Sequence, residues 1–196
     1  MRKAIIERKT SETDISLSLS IDGDGANRID SGCGFLNHML SLFAFHGRFD
    51  LFIGCKGDTH IDDHHTVEDV GIALGQAFDQ ALGARGGIAR YGSFLLPMDE
   101  ALILCALDLS GRAHLSFEAN IPSQKVGSFD TELVREFLLA FTRELGATAH
   151  IRQLSGENSH HIIEACFKGF GRALRQAVEA DPRLEDGVAS SKGTLV

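Results

Sequence analysis

The chain has 196 residues and a mass of 21.2 kDa, room for one domain or two closely packed halves and too little for two independent domains. Hydrophobic residues make up 43% and charged residues 23%, with a mean hydropathy near zero, a balance that argues against a disordered chain and against a membrane-embedded one. Lys and Arg number 19 against 27 Asp and Glu, a net charge of −8, the wrong sign for holding nucleic acid through the general field; an anionic ligand needs a local basic pocket.

At the N-terminus, MRKAIIERKTSETD turns polar after three apolar residues and lacks the apolar stretch of a secretory signal, so a cytoplasmic location is expected, with no membrane partner. Residues 15–21 (ISLSLSI) alternate apolar and polar side chains, which predicts a half-buried antiparallel strand. Helical spacing follows over 35–45, a short strand over 50–55 and a second helix over 67–82. Residues 101–109 (ALILCALDL) predict a more continuously apolar strand, whose longest apolar run, 101–107, stops at Asp108, far short of the roughly 20 residues of a membrane helix. Alternation returns over 113–121 (AHLSFEANI), read as another antiparallel strand, followed by a helix over 133–145, a strand over 147–154 and a helix over 162–178. Strands and helices interleave without a linker, which predicts an α/β fold, more narrowly an α+β two-layer sandwich.

Cys33, Cys55, Cys105 and Cys166 are widely spaced and form no C-x-x-C pair, so they read as buried thiols of a reducing compartment and not as a zinc ribbon or redox pair. Histidine is the unusual residue: nine are present, five of them between His38 and His65, and two pairs are adjacent in sequence.

Sliding the chain against itself explains the pairs. Residues 64–83 (HHTVEDVGIALGQAFDQALG) align without gaps on 160–179 (HHIIEACFKGFGRALRQAVE), sharing His64/His160, His65/His161, Glu68/Glu164, Gly75/Gly171, Ala77/Ala173, Gln80/Gln176 and Ala81/Ala177 at an offset of 96. An offset of 98 lays residues 37–40 on 135–138, so that His38 faces Glu136. The pattern predicts internally duplicated half-domains, about 1–92 and 93–196, within a single domain.

On a helix turning about 100° per residue, the carboxylate of such a motif lies between its two imidazoles. An i, i+4 pair such as His64 and Glu68 can grip one ion, while the adjacent histidine diverges toward a second ion or a neighbouring subunit. Two copies predict two metal sites drawn from His38, His64, His65, Glu68, Glu136, His160, His161 and Glu164. A lone HHxxE is more often a solvated helix cap, but packing preserves apolar positions and does not explain two imidazoles and a carboxylate kept in both copies. Nitrogen and oxygen donors without thiolate leave manganese, iron and zinc open. Before the first motif, Asp62 or Asp63 can cap the helix and also orient a ligand histidine; Ser159 is the corresponding cap before the second. His46 and His150 read as structural or substrate-contacting, and His114 as solvent-facing.

These residues together resemble the imidazoleglycerol-phosphate dehydratase family of histidine biosynthesis, through GFLNHML (34–40), GDTHIDDHHTVEDVGIALG (57–75), PMDEAL (97–102), DLSGR (108–112), HIRQLSGENSHHIIEACFKGFGRALRQA (150–177) and SSKGTL (190–195). The resemblance implies a hydro-lyase that dehydrates D-erythro-imidazoleglycerol phosphate to imidazole acetol phosphate. It implies two manganese ions per subunit on His38, His64, His65, Glu68, His160, His161 and Glu164, each ion taking one ring nitrogen of the substrate imidazolate. Glu136 stands where some relatives carry a ligand histidine, and Asn37 where members carry Asp. Implied substrate contacts are Glu12, His38, His46, Arg90, Arg112, His160, Ser190 and Lys192, with Arg90, Arg112, Lys192 and Ser190 supplying the local basic pocket for a phosphate. Proton transfers fall to Glu12 and to Glu68 or Glu164, with Asp99 a further candidate. The implied assembly is a homo-oligomer of twenty-four subunits with metal sites between them. Two other readings of the same donors are a dinuclear hydrolase of phosphate esters and a set of ions that only staple subunits together.

Overall fold

The computed structural model describes residues 2–184 and 187–195. Its first half runs β1 (Lys3–Lys9), β2 (Thr13–Ser20), β3 (Asn27–Asp30), α1 (Gly34–Gly47), β4 (Asp50–Gly57) and α2 (His64–Leu82). The second half repeats that order as β5 (Tyr91–Met98), β6 (Ala101–Asp108), β7 (His114–Glu118), α3 (Leu133–Leu145), β10 (Thr148–Ser155) and α4 (Ser159–Val178), with a small hairpin, β8 (Lys125–Val126) and β9 (Phe129–Asp130), inserted before α3. The sheets match strand for strand, β1-β2-β4-β3 and β5-β6-β10-β7. Each half is a sheet covered on one face by helices, and the halves meet through those helices, α1 on α4 and α2 on α3.

Alternation in β2 does what its spacing predicts: Ile15, Leu17 and Leu19 are buried while Ser16 and Ser18 face outward. The predicted antiparallel pairing holds for β2 against β1 and β4. It does not hold for residues 113–121. There β7 lies parallel to β10, because the chain leaves β7 and returns through α3, a crossover that brings the next strand back in the same direction. Strands β1, β3 and β5 escape hydrophobic patterning altogether. All three are edge strands, with charged outward residues in β1 (KAIIERK) and β3 (NRID) and a proline, Pro97, in β5, features that edge positions tolerate.

One core fills the space between the sheets. Phe43, Phe78, Phe141 and Phe170 form a ring cluster in which Phe78–Phe141 centroids lie 5.6 Å apart and Phe141–Phe170 5.3 Å apart, joining α1, α2, α3 and α4. Edge-to-face aromatic pairs of this kind contribute about 0.5–1.5 kcal/mol each beyond area burial. The glycines shared by the repeat set the helix spacing: a Cβ on Gly75 meets the Phe141 carbonyl oxygen at 2.6 Å, and one on Gly171 meets that of Phe43 at 2.7 Å. All four cysteines are buried and unpaired, as expected, and burial holds the Cys166 thiol up at about 12.

The two ends of the duplicated unit are tied by Arg2, which donates from Nη1 to the Val178 carbonyl (2.6 Å) and from its backbone N–H to Asp22 Oδ2 (2.9 Å). Its hydrogen bonds hold the Asp22 carboxyl at about 2. A carboxyl lowered on folding stabilises above its unfolded value near 4 and loses that contribution as pH falls through the folded value. Asp22→Asn is therefore expected to lower the thermal midpoint modestly near neutral pH, with the gap to the parent closing between about pH 4 and 2. Thermal melts across that range check it.

Candidate functional site

Both histidine pairs start a helix, and each helix is fixed there by side chains outside it. Asp62 Oδ1 accepts the His64 N–H (2.8 Å), so one of the two predicted caps for α2 is in place; Asp63 makes no side-chain cap bond. For α4 the expected cap, Ser159, is instead the first helical residue, and its Oγ accepts the Ser123 N–H. Asn158 does the capping, its Oδ1 accepting the N–H groups of His160 (2.9 Å) and His161 (3.3 Å).

The close packing of α1 on α4 brings three predicted ligands together. His38, His160 and Glu164 offer one donor atom each within 4.8 Å of one another, and among the described residues they are the one group of three or more such donors. Glu164 Oε2 lies 3.1 Å from His160 Nε2 and 3.6 Å from His38 Nε2. Burial alone pushes the Glu164 carboxyl up, but Lys168 and His160 outweigh it and hold the group below its usual value. Lys168, one turn further along α4, pairs with Glu164 Oε1; the i, i+4 spacing of EACFK was the signal for it, and the sequence reading did not use it. His46, on α1, is pushed below its usual value by burial and by the charges of Lys168 and Arg172.

The matching group on α2 and α3 is not closed. His64 Nε2 lies 3.9 Å from Glu68 Oε2, but Glu68 also faces Arg143 at 3.9 Å and Glu136 pairs with Arg135 at 3.3 Å. Glu136, predicted as the eighth ligand, joins no three-donor group among the described residues.

The second histidine of each pair points elsewhere, as the helix angles require. Ring centroids of His64 and His65 are 6.1 Å apart at 84°, and those of His160 and His161 6.3 Å at 82°. His65 and His161 each meet two carboxylates: at Nδ1, Asp58 (2.9 Å) and Glu100 (2.8 Å) respectively; at Nε2, Glu12 (3.6 Å) and Asp99 (3.7 Å). Those hydrogen bonds raise both imidazoles above their usual value, Asp58 acting on His65 and Glu100 on His161. Glu12 and Asp99 occupy the equivalent hairpin turns, β1–β2 and β5–β6. Sequence reasoning placed a histidine-orienting role on Asp62 or Asp63; the structure gives the His65 contact to Asp58, and Glu100 was not anticipated at all.

Arg90, Arg112, Ser190 and Lys192 line one cavity of about 380 Å³ with Tyr91 and Ala189. Arg90 is not a free donor. Its fork grips Asp108 (2.7 and 3.1 Å) and its Nη1 donates to the Ala189 carbonyl (2.7 Å), holding the Ser190–Lys192 segment over the cavity. Arg112, 65% exposed, lies 4.0 Å from Asp108. None of the eight predicted ligands lines this cavity. His150 and His114 are exposed on β10 and β7, with ring centroids 5.7 Å apart.

Imidazole and carboxylate donors, with every thiol buried, fit a borderline or hard divalent ion such as manganese. No helix among the described residues is long and apolar enough to cross a membrane.

Residues 31–174 match the profile of the family described as imidazoleglycerol-phosphate dehydratase. A relative of that name from Synechococcus is 60% identical over 195 residues, spanning 100% of this chain and 96% of the relative; one from Desulforamulus reducens is 59% identical over 194 residues, spanning 99% and 98%. The crystal structure of imidazoleglycerol-phosphate dehydratase from Staphylococcus aureus superposes with a TM-score of 0.84 at 42% identity, over 91% of this chain and 99% of that one. The chain carrying the duplicated HHxxE helices belongs to the imidazoleglycerol-phosphate dehydratase family.

Proposed function

We propose that the chain dehydrates D-erythro-imidazoleglycerol phosphate to imidazole acetol phosphate at a dinuclear manganese site shared between subunits. Family membership carries the hydro-lyase activity and its place in histidine biosynthesis. The observation that supports a metal site is the His38, His160 and Glu164 group. His38, His160 and Glu164 would hold one ion and His64 with Glu68 another, with His65 and His161 completing sites of neighbouring copies. Manganese at these donors supplies the Lewis acidity that lets the azole ring give up its N–H proton, so that ring electrons can expel the hydroxyl on the attached carbon.

This chain's own residues do the rest. Arg112, Ser190 and Lys192 receive the phosphate, and Asp108 fixes Arg90 so that it holds residues 189–190 at the cavity. A carboxylate beside the ligands, Glu68, Glu164 or Asp99, takes up the ring N–H proton and passes it to the hydroxyl, which leaves as water. Glu12 takes the proton from the next carbon and returns it to the ring nitrogen, and the resulting enol becomes the ketone when its hydroxyl proton passes to the ring-attached carbon.

Two features support an assembly with shared sites. His65 and His161 diverge from their partners, and one chain does not line the phosphate cavity with any ligand candidate. The twenty-four-subunit homo-oligomer fits both.

Incubating the purified protein with imidazoleglycerol phosphate and Mn2+ is expected to yield imidazole acetol phosphate, and chelation to stop turnover until Mn2+ is restored. Release of inorganic phosphate without dehydrated product would make the chain a hydrolase. No product from folded, metal-loaded protein would overturn the proposal.

A further inference from the structure

The contacts at His65 and His161 form a second repeat that no sequence offset contains. Asp58 Oδ2 meets His65 Nδ1 at 2.9 Å and Glu100 Oε2 meets His161 Nδ1 at 2.8 Å. The two carboxylates are not copies of each other. The matching strands Thr13–Ser20 and Ala101–Asp108 lie at an offset of 88, which lays Glu12 on Glu100, and Asp50–Gly57 and Thr148–Ser155 at an offset of 98, which lays Asp58 on Gly156. Asp58 comes from the β4–α2 connection and Glu100 from the β5–β6 turn. Inheritance from a common half does not account for the same ring atom being met from different places in the chain; a shared requirement of the two rings does.

We infer that Asp58 and Glu100 are positioning residues for metal binding: each accepts the Nδ1–H of its histidine and so fixes the ring orientation and tautomer that leave Nε2 as the metal donor. The inference rests on the functional reading above, in which His65 and His161 are ligands. An ionised carboxylate only accepts, which confines a proton to Nδ1.

The remaining oxygens separate the two cases. Glu100 Oε1 accepts the N–H groups of Asn158 (2.8 Å) and Glu157 (3.2 Å), whereas Asp58 Oδ1 is buried with no hydrogen-bond partner among the described residues. Amide substitutions of equal shape therefore act differently. In Glu100→Gln the two backbone donors hold the amide oxygen and turn its NH2 toward His161 Nδ1. That nitrogen must then accept, and the ring proton moves to Nε2, where it blocks the metal. In Asp58→Asn no donor holds the Oδ1 position, so the amide oxygen turns to His65 Nδ1–H and the tautomer survives with the charge alone lost.

Mn2+ binding to the full chain, followed by the EPR signal of the free ion, tests this. Glu100→Gln is expected to weaken one site per subunit by about 10- to 100-fold and Asp58→Asn by less than about tenfold. Thermal midpoints of both chelator-treated variants should stay with the parent. In 15N spectra of the metal-free proteins, one imidazole Nδ1 loses its proton in Glu100→Gln and none does in Asp58→Asn. Glu100→Gln affinity within about threefold of the parent overturns the assignment, as does an Asp58→Asn effect as large as that of Glu100→Gln. A fall in the metal-free midpoint that matches the lost affinity overturns it too, because it marks a structural role. A parent protein that binds no Mn2+ overturns the functional reading and this assignment with it.

Discussion

Glu164→Gln is expected to lower kcat/KM about a thousand-fold or more, roughly 4 kcal/mol of transition-state stabilisation, while leaving the protein folded. The side chain is the meeting point of the site: one oxygen faces His160 and His38, and the other pairs with Lys168. An amide of the same shape keeps an acceptor for Lys168 but removes the anionic donor from the one three-donor group among the described residues. It also leaves the Lys168 ammonium, 16% exposed, without its counter-charge, and breaking one partner of a buried pair costs about 3–5 kcal/mol when nothing replaces it. Retention of the amide oxygen reduces that stability loss, so the catalytic effect should exceed it. Steady-state kinetics, metal analysis and a thermal melt of the chelated protein separate the two. Activity within about threefold of the parent, or full metal occupancy with lost activity, would remove Glu164 from the ligand set.

The ligand candidates legible in the sequence are those that share a helix. His64 and Glu68, like His160 and Glu164, sit one turn apart, and a spacing of four residues is all that such a contact requires. His38 entered through the repeat, because α1 and α3 are copies, and the structure places it against the other half's helix. Asp58 and Glu100 were out of reach for the opposite reason. Each meets its histidine from a separate loop, Glu100 from 61 residues away, and no periodicity links a hairpin turn to a helix start. Capping shows the same limit: Asn158 and Ser159 are both good N-cap residues, and only backbone geometry puts the helix start between them.

Among strands, the interior ones announced themselves, and of the four edge strands only β7 did. The sheets place β2 and β6 inside, where one face must be apolar, and leave β1, β3, β5 and β7 at the margins, where charge and proline are tolerated. Direction was harder still. The alternation of β7 is real but carries no information on whether its neighbour runs with it or against it; the intervening helix decides that.

Gly171→Ala is expected to destabilise the protein by about 1–3 kcal/mol and to weaken metal binding at the His38, His160 and Glu164 group. By helix propensity alone the change should help, since alanine is favoured over glycine in a helix interior by about 0.5–1 kcal/mol. Space decides against it. The new methyl would lie 2.7 Å from the Phe43 carbonyl oxygen, 3.3 Å from its ring and 3.4 Å from the Gly47 nitrogen, and a carbonyl inside α1 cannot yield without moving the helix. Because α1 carries His38 and α4 carries His160 and Glu164, any widening of that contact lengthens the 3.6 Å approach of His38 to Glu164. Gly34→Ala, at the first turn of α1, is the control: nothing lies within 4 Å of its Cβ position, so it should leave stability and metal affinity unchanged or slightly raised. Thermal midpoints with and without Mn2+ for both variants give the answer, and a Gly171→Ala protein as stable and as tightly metallated as Gly34→Ala would show that α1 and α4 have slack that the packing here denies.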